Sequence, residues 1–282
     1  MPQPSETPSQ RNVRLLSRSI EPFVDNYRGT SLYQFIDLGP KANRSITQSY
    51  VAEVYAVETA IRSQTPVRLN SPAPANTVYT LPSELIPSGD SRIKAMAAEI
   101  ASRERYPFGK AQKIYEWLIS SVGIQAAPLS GGALEALEEK QADSYRAAML
   151  FCALARALEI PALPVAGVLI NRQRAAARHY WAEFWIDGFG WVPLDPALGA
   201  GVAPPDFNLR DDRDLYYFGN LDNQRIIFSR GERMLSQMAP RGRTAMRSRD
   251  YSLQNLWEEA DGGIESYSSL WSNVTITGVY AQ

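Results

Sequence analysis

Arg178-His179-Tyr180-Trp181-Ala182-Glu183-Phe184-Trp185-Ile186, then Asp187-Gly188-Phe189, then Gly190-Trp191-Val192-Pro193-Leu194-Asp195-Pro196 is the stretch on which the reading of this chain turns. Aromatic and branched residues on either side of a glycine-containing turn predict two antiparallel strands joined as a hairpin. Side chains alternate across a strand, so His179, Trp181, Glu183 and Trp185 share one face, while Tyr180, Ala182, Phe184 and Ile186 share the other, read as the core face. A loop of residues 187–189 has an odd length. It therefore sets Asp195 opposite Trp181, diagonal to His179 and on the same face, where a carboxylate can orient an imidazole. His179 is the chain's one histidine. Because imidazole is the side chain that ordinarily titrates near neutrality, a general base of the usual kind is this residue or is absent.

Working outward, residues 144–158 predict a helix whose stretch Ala147-Ala148-Met149-Leu150-Phe151-Cys152-Ala153-Leu154-Ala155 is apolar on every side. Such a helix is enclosed by other elements. Residues 93–103 and 110–122 have the spacing of two amphipathic helices, interrupted by Tyr106-Pro107-Phe108-Gly109. Strand-like segments lie at 163–170, 179–186, 190–195 and 225–228, with a last one at 274–279. Helices followed by antiparallel strands predict an α+β core. Upstream, residues 46–61 alternate well enough for strand, with helix competing, and Pro66, Pro72, Pro74, Pro82 and Pro87 punctuate a crossing between lobes. The expected organisation is a disordered tether at 1–10, a partly β N-terminal lobe at 11–85, the α+β core at 86–235, and an extension with a final strand at 236–282.

Composition excludes several classes. At 282 residues, 45% hydrophobic and 21% charged, the chain is of ordinary globular type. Lys and Arg number 29 against 30 Asp and Glu, a net charge of −1, so no global field would hold nucleic acid. No apolar run approaches the roughly 20 residues that span a bilayer. A single cysteine, Cys152, excludes an intrachain disulfide and a cysteine-rich metal site. The polar start fits an exported protein whose signal has been removed, periplasmic or lipid-anchored, somewhat better than a cytoplasmic terminus. Nothing in the pattern sets an oligomeric state.

Three blocks carry a family resemblance: Asp143-Ser144 opening the buried helix, with Ala153-Leu154-Ala155-Arg156-Ala157 and Ile160-Pro161-Ala162 at its end; Gly167 and His179-Tyr180-Trp181-Ala182-Glu183; and Gly190-Trp191-Val192-Pro193-Leu194-Asp195-Pro196. Together they resemble the transglutaminase-like superfamily, a branch of the papain-like cysteine enzymes, over about residues 91–231. The resemblance implies a papain-like core in which a buried helix packs on an antiparallel sheet. It also implies hydrolysis of, or acyl transfer from, an amide or peptide, without a cofactor or metal. Carried over residue by residue, His179 matches the general base, Asp195 the orienting acid and Ser144 the nucleophile position, where the family has cysteine. Cys152 lies eight residues along the same helix, about 12 Å away, and reads as core filler. Ala142 and Glu159 also stand where the family has glycine.

A thiol at a helix N-terminus beside histidine ionises readily, whereas a hydroxyl must give up its proton as it attacks. Three origins fit the serine: a variant that still catalyses, a variant that keeps the cleft as a peptide-binding module, and a cysteine deliberately replaced. Around the triad, Trp181 and Trp191 are candidate walls for an extended peptide or protein substrate, Arg178 a candidate attractor of acidic groups, and Gln125 a candidate oxyanion helper.

Overall fold

A computed structural model describes residues 1–36, 38–59, 78–232, 242–246, 252–253 and 256–280. The chain begins with β1 (Gln10–Arg18) and β2 (Gln48–Val54), which pair antiparallel, followed by α1 (Ser91–Ile100) and α2 (Pro107–Ser121). Next come β3 (Gly123–Ile124), α3 (Ala133–Glu139), β4 (Gln141–Ala142) and α4 (Ser144–Ala157). The main sheet follows with β5 (Ala162–Ile170), β6 (Ala176–Ile186) and β7 (Gly190–Leu194). Two short helices, α5 (Pro196–Gly199) and α6 (Arg213–Tyr216), lead to β8 (Arg225–Arg230), and β9 (Arg243–Met246) pairs antiparallel with β10 (Trp257–Ala260). The main sheet runs β7-β6-β5-β8, antiparallel throughout.

Helix α4 is the hub. Residues 147–155 are all fully buried, because α1, α2 and α3 pack on it from one side and β5 and β6 from the other. A stretch with no polar face has no alternative to such enclosure, and truncating one of its large members, such as Leu150, to alanine would cost about 2–5 kcal/mol. Its C-terminus closes in a left-handed turn: Glu159 takes φ 62°, with Glu159 N–H donating to Arg156 O and Ile160 N–H to Ala155 O, each at 3.0 Å. That is a position that favours glycine, and glutamate occupies it under strain.

The β6–β7 register, Ile186 opposite Gly190 and Ala182 opposite Leu194, fixes a three-residue loop. Gly188 at its centre has φ 82°. Both faces of the sheet are buried. Tyr180, Ala182, Phe184 and Ile186 join the α4 core, while Trp181 joins a second cluster with Leu163, Val165, Leu198, Tyr217 and Ile227. The face carrying His179 is thus a core in its own right. Gly167, opposite His179 on β5, lets β8 approach closely; a Cβ there would meet Ile226 O at 2.0 Å.

Four expectations are corrected. Residues 2–10 are not a loose tether: Ser5 N–H and Gln10 Nε2 both donate to Ile227 O at 2.8 Å, and Gln10 Oε1 accepts from Ile227 N–H at 2.8 Å. Strand β8 is a sheet edge, and these polar groups satisfy its free backbone. Helix α2 begins at Pro107 rather than after it, since proline is tolerated at the first helical position. Residues 274–279 form no strand, since among the described residues no ladder pairs with them. Residues 46–61 divide, with strand at β2 and residues 60–61 outside the described part, as are Pro66, Pro72 and Pro74.

Candidate active site

Asp143 sets the geometry at the head of α4. Its carboxylate accepts from Arg146 N–H at 2.8 Å, capping the helix, and from Leu129 N–H at 3.1 Å, holding the preceding loop. Buried Arg146 reinforces that loop through Ser130 O and Glu139. Ser144 is therefore the first helical residue, half-buried, with its backbone N–H among those an α-helix leaves without an internal partner. The parallel β3–β4 pair runs alongside: Gln125 N–H donates to Ala142 O at 2.9 Å, setting Gln125 beside the approach to Ser144. Ala142 sits in a strand with ordinary φ, so that position does not require the glycine of the resemblance.

His179 and Asp195 meet as the odd loop requires. His179 Nε2 lies 2.9 Å from Asp195 Oδ2 and 3.1 Å from Oδ1, with His179 nearly buried and Asp195 wholly so. Asp195 also caps α5, accepting from Leu198 N–H at 3.0 Å. With Nε2 committed, Nδ1 is the ring nitrogen left for a nucleophile. Ser144, His179, Gln125 and Arg178 line one cavity of about 510 Å³, whose remaining wall is mostly alanine, valine and proline. That volume suits a ligand-sized group. No hydrogen bond joins Ser144 to His179.

Two members of the constellation escaped the sequence reading, Arg225 and Asp222. Arg225 Nη1 donates to Asp195 Oδ2 at 3.1 Å and Nη2 to Asp222 Oδ2 at 2.6 Å, while the guanidinium lies 4.9 Å from the Trp181 ring centroid. Burial by itself would push the Asp195 carboxyl up; His179, Arg225 and Leu198 N–H outweigh it and hold Asp195 below the usual carboxylate range. Burial likewise opposes Asp222, and Arg225 with Gln224 N–H holds it low. Between these carboxylates the Arg225 guanidinium is held firmly charged despite its burial.

The two tryptophans lie apart from this cavity. Trp181 is fully buried, stacked near His179 at 6.2 Å between centroids, and does not reach the cavity. Trp191 packs edge-on against Tyr79 and Trp185, at 5.3 and 5.6 Å, beneath Arg230 and also outside the cavity. Trp181 shares its strand face with His179, but that face is covered by the Leu198 and Tyr217 segments. Cys152 is enclosed in α4, where burial pushes its thiol up to about 12. Among the described residues no cluster of histidine, cysteine and carboxylate could hold a metal ion, and no helix is long and apolar enough to cross a membrane.

Residues 94–196 match the family model of the transglutaminase-like superfamily core. An uncharacterized protein of Haemophilus influenzae is 27% identical over 174 residues, covering 50% of this chain and 46% of that protein. The chain thus matches about half the length of that relative. A solved structure from Cytophaga hutchinsonii, described as a candidate cysteine protease, superposes with a TM-score of 0.52 at 19% identity over 81% of this chain and 73% of that one. The periplasmic domain of TgpA from Pseudomonas aeruginosa is 21% identical, with a TM-score of 0.36 over 45% of this chain and 48% of its own.

Proposed function

We propose that the chain, whose residues 94–196 match the core of the transglutaminase-like superfamily, is an acyl hydrolase or acyl transferase acting on amide or peptide carbonyls through Ser144, His179 and Asp195. The observation that carries this reading is the imidazole of His179 clamped at Nε2 by a buried carboxylate, in the wall of the cavity that Ser144 also lines. Ser144 Oγ attacks the carbonyl carbon while His179 Nδ1 takes its proton. The oxyanion is met by Ser144 N–H at the start of α4 and by the Gln125 side-chain amide. Collapse expels the amine, which receives the proton back from His179. Water or a second amine then repeats the sequence on the acyl-enzyme, giving hydrolysis or transamidation. Asp195 keeps its negative charge throughout and fixes the ring. The candidate protease description of the Cytophaga hutchinsonii structure supports a peptide or protein substrate.

The hydroxyl at position 144, where the family has a thiol, favours a second reading, a cleft that binds peptide without turnover. A fluorophosphonate probe separates the two. It should label Ser144, and His179→Ala should abolish labelling, because without the base the hydroxyl reverts to an ordinary alcohol. Equal labelling of both proteins removes His179 from the mechanism, and labelling of neither supports the binding cleft. Ser144→Cys tests what the scaffold is tuned for: the introduced thiol should react with iodoacetamide at about pH 6 well ahead of a model thiol of pKa about 8.5, and His179→Ala should remove the advantage.

A further inference from the structure

The cavity beside Ser144 and His179 has two lining residues that come from far along the chain, Asn273 and Val274. Along their segment burial alternates: Val274 and Ile276 are half-buried while Asn273, Thr275 and Thr277 are exposed. Period-two burial is how a peptide lies along a groove, held by every second side chain. Val274-Thr275-Ile276-Thr277 is a run of β-branched residues, stiff and disposed to extended backbone, so ordering it costs little. The approach to the cleft is also fixed. Arg243 on β9 donates to Glu265 O at 2.8 Å, Ser269 Oγ donates to Glu258 on β10 at 2.7 Å, and Trp271 Nε1 donates to the same carboxylate.

We propose that residues 273–276 are a resident peptide in the substrate cleft, and that the cleft takes extended peptides with β-branched apolar side chains at alternate positions, Val274 standing where such a side chain meets the active site. The proposal rests on the function proposed above and names its substrate class. It also gives the site a built-in competitor. A tethered segment acts at an effective concentration of order millimolar, so even a weak seat keeps the cleft mostly covered until a substrate displaces it.

The test uses the full chain carrying Ser144→Cys, with and without Val274→Asp and Ile276→Asp. Folding is checked by thermal unfolding, and the protein with Ser144 serves as blank. At about pH 9 an exposed thiol is largely ionised, so its iodoacetamide rate reads access to the cleft; at about pH 6 the rate reads activation by His179. Lifting the segment should raise the pH 9 rate by about tenfold, as expected for an intramolecular occupant about 90% seated. A synthetic peptide of residues 268–280 added in trans should lower it again, and the same peptide with Val274→Asp should not. A pH 9 rate indifferent both to the substitutions and to the peptide overturns the proposal. A raised pH 9 rate with no His179-dependent advantage at pH 6 supports the seat while sinking the catalytic reading.

Discussion

Arg225→Met is the perturbation whose consequence follows most directly from the structure. The guanidinium stands between two buried carboxylates, with side-chain exposures of 4% for Arg225, 0% for Asp195 and 9% for Asp222, so water cannot replace it. Removing one partner of a buried pair leaves uncompensated charge and costs about 3–5 kcal/mol. For a core of this size that lowers the melting temperature by roughly 6–20 °C. The loss must also depend on pH. In the parent protein both carboxyls are held low, so their stabilisation is complete well above the ordinary carboxylate pKa of about 3.9 and fades as pH falls through the folded values. In the variant, burial is no longer opposed by Arg225, the carboxyls move upward, and protonation relieves the strain. The difference between the two proteins should therefore be largest near neutrality and shrink toward pH 4.

Urea denaturation at pH 7 and pH 4 reads this directly. Adding Asp222→Asn to Arg225→Met should recover part of the loss, since one of the two stranded charges is gone. A loss below about 1 kcal/mol at pH 7, or one equal at both pH values, would refute the reasoning, since removing half of a buried pair must cost more and must titrate.

Asp143→Ala removes the cap of α4 and the anchor of Leu129 N–H, and should cost about 1–2 kcal/mol in thermal denaturation. It should also slow alkylation of Ser144→Cys, because the loop framing the nucleophile loosens. Glu159→Gly relieves the φ 62° strain and should stabilise the fold by about 0.5–1 kcal/mol, an increase visible in the urea midpoint. Gln125→Ala should lower fluorophosphonate acylation of Ser144 by up to about 10²-fold without changing stability, if the amide meets the oxyanion.

The helix–hairpin core was legible because its signals are local. An all-apolar α4 can only be a central helix, and a three-residue loop fixes which side chains of β6 and β7 share a face. His179 and Asp195 could be set on one face because the hairpin register determines it, whereas Ser144 was marked only by the resemblance at the head of the buried helix. Arg225 and Asp222 could not be placed. Arg225 reaches Asp195 from 30 residues away along the chain, with Asp222 held on its other side, through a fold contact that no spacing encodes. Docking of residues 2–10 was hidden for a related reason. The glutamine and serine that complete the β8 edge have the composition of a tether. Helix α3 was too short to stand out; its first turn is held by Glu135 accepting from Gly132 N–H at 2.7 Å.

The features that orient the imidazole are independent of the atom at position 144. Asp195 holds Nε2, Arg225 and Leu198 N–H hold Asp195, Asp222 holds Arg225, and none of these contacts passes through Ser144. The helix N-terminus likewise supplies its partial positive charge through the backbone. A change between serine and cysteine there alters the acidity of the side chain by several pH units while leaving the imidazole, its orientation and the proposed oxyanion donors in place. The scaffold and the nucleophile are therefore separable by experiment. If the introduced thiol of Ser144→Cys is activated by His179 while Ser144 itself resists a fluorophosphonate, the buried relay is intact and the hydroxyl alone limits the reaction. Were Arg225→Lys to preserve that activation and Arg225→Met to lose it at pH 6, the relay would extend to the guanidinium, because lysine keeps the charge between the two carboxylates and methionine keeps only the bulk.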